Sequence, residues 1–363
     1  MVCDLIWCVK VQYLALLFKE IVCTDLIEKI LLTDKCLFSQ LNKMVFMVFM
    51  WFLALMVSLI VLLKSADFFI DNALVIGNKL NIPHFVLGAT VIAFGTSLPE
   101  LAVSLSAIFK NDPAIISGTV IGSNISNIFL ITGLAIAVST GFKIDFKKNA
   151  GPLLIFLMVT FLTSFFLWDN KYTLIEGIIS VVLLVAYIVY IVIFPAPKEK
   201  EEAVQDTFSI KTIIILILSV GGIGLGAEYI VVAVKEIAGI IGLKEDVIAL
   251  TVVALGTSLP ELAVTISAAK KKKYGIVLGN VIGSNIFNLL CVIGIPTLIG
   301  HFSGKFYITN DAVFTGFSIP LMLLATVLVF IVSLLKTTPK FFGYLFVALY
   351  IFFIVSSFLK LSL

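Results

Sequence analysis

The chain has 363 residues, 61% of them hydrophobic and only 13% charged, with a formal net charge of +3 and lysine as its only strongly basic residue. A soluble domain carries about twice that charged fraction, and no basic face interleaved with aromatics points to nucleic acid. Cys3, Cys8, Cys23, Cys36 and Cys291 follow no zinc-ligand spacing, so a thiolate metal centre is not indicated.

Residues 1–43 mix apolar residues with a charge every few positions. They lack the basic start, apolar centre and small-residue cleavage site of a signal peptide. Two readings fit: the natural start is Met44, Met47 or Met50, or the extension is an amphipathic surface helix. From Met44 onward, apolar stretches long enough to cross a bilayer recur at about 44–70, 82–109, 113–138, 150–168, 173–194, 211–235, 246–270, 274–299, 311–335 and 340–360. Helices satisfy their own backbone in lipid. The expected fold class is therefore an all-α membrane protein with ten transmembrane helices. The charged segment from Pro195 to Asp206 lies between spans five and six and reads as a solvated linker over 195–210. It separates a first five-helix half, 44–194, from a second, 211–363, and is too short to hold a large regulatory domain.

Lysines in alternate loops set the orientation. One set of loops holds Lys79, Lys143, Lys147, Lys148, Lys198, Lys200, Lys211, Lys270 to Lys273, Lys336 and Lys340; the other holds Lys110, Lys171, Lys235, Lys244, Lys305 and Lys360. The richer set is expected to be cytoplasmic, which puts Met44 and the C-terminus outside.

The two halves repeat. Residues 90–107 read TVIAFGTSLPELAVSLSA and residues 251–268 read TVVALGTSLPELAVTISA, with fourteen of eighteen positions identical. VIGSNISN at 120–127 matches VIGSNIFN at 281–288, and Ala66-Asp67-Phe68 matches Ala227-Glu228-Tyr229, all at one offset of 161 residues. Five spans separate equivalent points, and an odd number inverts the second copy. The sequence thus predicts two inverted repeats, an arrangement that places transporter sites at the repeat interface near the midplane.

Pro99 and Pro260 lie within the second and seventh spans. Proline removes a donor and clashes with the carbonyl four residues earlier, so helices 2 and 7 are expected to break near Gly95 and Gly256. Free carbonyls at a half-helix end favour cations. Each break is followed at once by a glutamate, Glu100 or Glu261. A charged side chain at membrane depth costs at least about 2–3 kcal/mol, and a mirrored pair at that cost is expected to be functional. Carboxylates, carbonyls and hydroxyls make an all-oxygen shell of the kind hard cations take. Ser123 and Asn127 share a helical face, as do Ser284 and Asn288; interhelical hydrogen bonding is the bland reading for these four. Asp67 and Glu228 are read as structural acids, His84 and His301 as interfacial residues, the phenylalanines as lipid-facing bulk, and Lys270 to Lys273 as a headgroup anchor.

GTSLPE in both halves, each followed by GSNxxN, resembles the cation/calcium antiporter superfamily, with the prokaryotic sodium/calcium exchangers the nearest likeness over about residues 44–363. The resemblance implies ten helices with both termini outside, in the plasma membrane of a prokaryote. It also implies four cation sites in a diamond, with calcium central and sodium flanking. By motif position Glu100 and Glu261 would bind both ions. Thr96, Thr257, Ala93 and Ala254 would give backbone carbonyls, and Ser123 and Ser284 hydroxyls. Ser97 and Ser258 would support the site, and Asn127 would sit at its centre. Asn288 stands where several relatives, including the potassium-dependent branch, carry Asp, which argues against potassium co-transport.

The expected activity is sodium/calcium antiport, with proton-coupled calcium antiport as the alternative. Apart from the transported Ca2+ and Na+ no cofactor is implied, and apart from the lipid bilayer no obligatory partner. An intramembrane hydrolase would need a buried Ser with a His or a GxGD pair, and neither is present. A passive channel fits less well than a carrier, because inverted repeats around buried carboxylates belong to carriers.

Overall fold

The computed structural model describes residues 24–109, 114–139, 146–169, 171–195, 209–240, 254–304, 314–335 and 338–361. All regular structure among them is helical. In chain order the helices are α1 (Thr24–Lys79), α2 (His84–Thr96), α3 (Leu98–Phe109), α4 (Ile116–Val138), α5 (Asn149–Leu167), α6 (Leu174–Ile193), α7 (Ile210–Ile240), α8 (Ala254–Thr257), α9 (Leu259–Lys270), α10 (Tyr274–Phe302), α11 (Gly316–Ser333) and α12 (Lys340–Leu361). Residues 1–53 and 54–363 form separate compact units; the described part of the first, from Thr24, is helical, and the second holds everything discussed below.

Eight of the helices are long and apolar enough to cross a membrane, and the bent pair α2–α3 makes nine. These agree with nine of the ten sequence-read spans. The first third of the remaining one, 246–253, lies outside the described residues, as do the linker lysines Lys198 and Lys200. Residues 1–23 of the extension are likewise outside them.

Two helices form the centre. An 18-residue stretch of α10 is wholly buried and 78% of one in α4 is buried, against 6% in α1 and 22% in α12. The peripheral helices turn apolar side chains such as Phe165, Ile175, Val192 and Phe341 outward, as a lipid-facing surface requires. The aromatic residues are not all bulk of that kind, because Phe69, Phe129, Phe156 and Phe346 are fully buried and fill the core.

Helix packings occur in pairs under the 161-residue shift. α2 packs on α10, and α8 packs on α4. α10 packs on α6, and α4 on α12. α5 packs on α11, each the other's equivalent. α4 and α10 also widen into π-type turns at the same place, Ser126–Thr132 and Asn288–Val292, a local distortion common at functional sites.

The closest of these contacts is α2 on α10. A Cβ on Gly283 would lie 2.7 Å from both the backbone oxygen of Ala89 and the Cβ of Ala93. Glycine is required here because backbone meets backbone, in the way small residues bring membrane helices together. Across the molecule Ser267 donates to the Asp67 carboxylate at 2.5 Å, and the Lys271 ammonium contacts Asp71 at 2.5 Å and the Asp67 carbonyl at 3.1 Å. Lys271 therefore ties the end of α9 to α1, where the sequence suggests a headgroup anchor. His84 opens α2, at the span end where the sequence places it, and is buried there.

Gly283→Val should overpack that contact and destabilise the protein by about 1–3 kcal/mol. Unfolding in detergent checks this, with Gly316→Ala, at an open position, expected to be nearly neutral.

Candidate functional site

Both expected helix breaks are present and nearly superimposable in backbone angle. Ser97 (φ −87°, ψ 4°) separates α2 from α3, and Ser258 (φ −86°, ψ 0°) separates α8 from α9. The first break bends the span by 41°. Pro99 and Pro260 each fall in the first turn of the following helix, where a missing N–H costs least. Glu100 and Glu261 then occupy the third position of α3 and α9. There the positive end of the helix dipole favours a carboxylate, an advantage that adds to the half-helix carbonyls read from the sequence.

Both glutamates are buried, with relative exposures of 0% and 1%, and lie within electrostatic reach of each other. Glu261 is met by the opposite half, and Glu100 by a serine of its own half that also reaches across. Ser97, from the first break, donates to Glu261 Oε1 at 3.1 Å. Ser123 on α4 contacts Glu100 Oε1 at 3.5 Å and the Thr257 hydroxyl at 3.4 Å. The equivalent contact on the other side joins Thr96 to Ser284 on α10 at 3.4 Å. Thr96 Oγ1 also lies 3.2 Å from the Ala93 carbonyl. The site thus groups Ala93, Thr96 and Ser284 on one side and Ser123, Thr257 and Glu100 on the other. Each group takes residues from both halves.

Many polar atoms here remain without a protein partner among the described residues. They include Glu100 Oε2, Glu261 Oε2, Ser258 Oγ, both amide atoms of Asn127, and Asn288 Oδ1. Buried polar groups are nearly always satisfied, so such a cluster marks a place built for something other than protein. Of the sequence-read residues, only Ala254 contributes no described side chain; its backbone opens α8.

Two stretches of the chain, 50–194 and 211–359, each match the family model described as sodium/calcium exchanger protein. This chain belongs to the sodium/calcium exchanger family. It is 33% identical to the sodium/calcium exchanger MaX1 of Methanosarcina acetivorans over 301 residues, covering 70% of this chain and 83% of that one. It is 31% identical to an uncharacterized membrane protein of Methanocaldococcus jannaschii over 302 residues, covering 83% of this chain and 96% of its relative. Among solved structures it is similar to the sodium-calcium exchanger NCX_Mj soaked with Na+ and Sr2+. That match has a TM-score of 0.74 and 31% identity, and covers 85% of this chain and 99% of the other. Family membership makes the chain a multi-pass transmembrane ion antiporter.

The buried polar cluster also includes residues that sequence symmetry did not single out. Asn124 donates to the Asn285 carbonyl at 3.4 Å and accepts from Asn288 at 3.3 Å, stitching α4 to α10 between the two breaks. Asn124 and Asn285 stand inside the quoted GSN motifs, so their doubling was a usable signal. Asn280 is fully enclosed on α10; its amide donates to Thr265 at 3.0 Å and its oxygen lies 3.4 Å from Thr96 Oγ1. It has no mirrored asparagine, and only the cost of a buried amide at membrane depth could have pointed to it.

Asn124→Leu should leave Asn288 Nδ2 without its acceptor and cost about 1–3 kcal/mol, read as a lowered unfolding midpoint in detergent without added ions.

Proposed function

We propose that this protein is a secondary active antiporter that exchanges Ca2+ for Na+ by alternating access. Its fold is read as ten transmembrane helices in two inverted five-helix repeats, 44–194 and 211–363, joined by a cytoplasmic linker at 195–210, with both termini outside. The paired packings under the 161-residue shift support this arrangement, and the lysine-rich loops support the orientation.

The observation that carries the reading is the meeting of Glu100 and Glu261 in one buried, oxygen-lined cluster assembled from both halves. Oxygen separations there support cation binding in a second way. The hydroxyl contacts of Thr96, Ser123 and Thr257 run from 3.2 to 3.5 Å, beyond the usual 2.5–3.0 Å of an O–H···O bond. Ligands at about 2.3–2.6 Å around one hard cation stand about 3.3–3.7 Å apart when at right angles. Calcium takes the centre, between Glu100, Glu261 and the carbonyls of Thr96 and Thr257, with Asn127 and Asn288 beside it. Sodium takes the flanks, using the carbonyls of Ala93 and Ala254 and the hydroxyls of Ser123 and Ser284. Ser97 and Ser258 hold the glutamates. The likeness to MaX1 and NCX_Mj favours these two ions over others.

The pair of carboxylates gives the exchange its logic. Two negative charges bind one divalent ion or several monovalent ones, but not both sets at once. Binding either set cancels the cost of the buried charges and permits the loaded site to change sides. Asn288 adds no third charge, so potassium is not expected to ride along.

Glu100→Gln and Glu261→Gln should each lower calcium flux by about a hundredfold or more, the scale of removing one member of a buried ion pair. Each should also lose the thermal stabilisation that calcium confers on the native protein, while the ion-free variants melt no lower. Normal exchange by either variant would refute the assignment. In proteoliposomes with sodium, potassium and pH gradients imposed separately, calcium uptake should follow sodium alone. Uptake that follows only the pH gradient would establish proton coupling instead.

A further inference from the structure

The two halves of the site differ at one enclosed position. Asn280 on α10 is equivalent to Thr119 on α4 under the 161-residue shift. Asn280 is 1% exposed, whereas Thr119 is half-buried. The Asn280 amide is held from behind by its 3.0 Å bond to Thr265, which turns its oxygen toward Thr96 at 3.4 Å. The equivalent of Thr265 is Ser104, whose buried hydroxyl has no partner among the described residues. So the backing that orients Asn280 is also missing on the other side.

From this difference we infer that Asn280 is a positioning residue that makes the Ala93–Thr96–Ser284 flank the stronger of the two sodium sites. The inference rests on the antiport reading above. Its chemistry concerns a single hydrogen. Thr96 has one hydroxyl hydrogen and several acceptors around it: the Ala93 carbonyl at 3.2 Å, Asn280 Oδ1 and Ser284 Oγ each at 3.4 Å, and the Glu261 carboxylate; the choice that matters for the flank is between Ala93 and Asn280. When Ala93 takes it, that carbonyl is occupied by its own helix, in the common pattern of a threonine bonding back along the chain. When Asn280 takes it, the Ala93 carbonyl, which already accepts the Ser97 N–H at 3.0 Å, keeps its second lone pair for a cation, and the hydroxyl lone pairs face the same space as Ser284 Oγ, 3.4 Å away. Asn280 Oδ1 can only accept, so it serves this purpose without competing for the cation's neighbours as a donor. On the opposite flank position 119 carries a hydroxyl, which is shorter and donates as readily as it accepts.

The test is calcium uptake into proteoliposomes, with half-saturating concentrations measured for both sodium and calcium. Asn280→Ala should raise the ratio of the sodium value to the calcium value roughly three- to tenfold, as expected for losing one neutral hydrogen bond. Asn280→Asp keeps an accepting oxygen at the same reach and should leave the ratio at or below that of the unmodified protein. If Asn280→Ala does not accumulate in membranes, Asn280→Ser carries the same expectation, because it is too short to reach Thr96 yet leaves a hydroxyl beside Thr265. An unchanged ratio overturns the inference, whether both values rise together, as a purely structural role requires, or neither moves. Absence of sodium-driven flux in the unmodified protein overturns the antiport reading and this inference with it, so the two failures are distinct.

Discussion

Two carboxylates share the interior of a bundle whose surroundings are hydrocarbon, and the protein supplies too little to satisfy them. An ionised carboxylate has about four acceptor sites. Glu261 receives one hydroxyl on Oε1 and Glu100 a single contact at 3.5 Å, while Oε2 of each has no partner among the described residues. Burying charge on these terms costs several kcal/mol per group unless something of opposite sign accompanies it. No lysine contacts either glutamate among the described residues; Lys271, near the end of α9, is engaged with Asp67 and Asp71. A mobile cation is therefore the natural counter-charge, and a counter-charge that can leave is what separates a transporter from a structural ion pair.

The rest of the bundle follows from placing those carboxylates. A continuous helix would occupy its own carbonyls and carry a glutamate on its side. Breaking it at Ser97 and Ser258 brings a helix start, with its favourable dipole, to the glutamate. A broken helix needs cover, since irregular backbone is tolerated in a membrane only inside protein. α4 and α10 give that cover and are accordingly the most buried helices. Gly279 and Gly283 of α10 let α2 approach to backbone contact, and the same approach carries Ser284 to Thr96. Close packing and ligand placement are thus one requirement met by one face of one helix.

Doubling made most of this legible. The offset of 161 residues located both breaks, both glutamates and both serine–asparagine pairs without any coordinates. A polar residue in a span could be structural; the same residue twice, in the same frame, is far harder to explain by packing. The method is blind to whatever is not duplicated. Asn280 faces a threonine in the other half, and Asp71 faces Val232, so neither stood out. Pairing across the halves was equally hidden, because which hydroxyl meets which carboxylate depends on how the repeats interlock. The sequence names no partner for Ser123, whereas the structure sets it between Glu100 of its own half and Thr257 of the other.

What is not duplicated has its own importance if, as proposed, two repeat-related halves alternate. Perfect symmetry would then make the two orientations of the site equal in energy, and each unmatched residue would tilt that balance. The Lys271–Asp71 pair ties α9 to α1 on one side only, since Val232 cannot form its counterpart. Its two side chains are 27% and 58% exposed, and a pair that wet contributes only about 0–1 kcal/mol. At about 1.4 kcal/mol per tenfold change, such a tie shifts the ratio of the two orientations by at most about fivefold. That is too little to lock the protein. A tie stronger by several kcal/mol would hold one orientation against the driving ion gradients, so weak asymmetric contacts are the kind a reversible exchanger can retain.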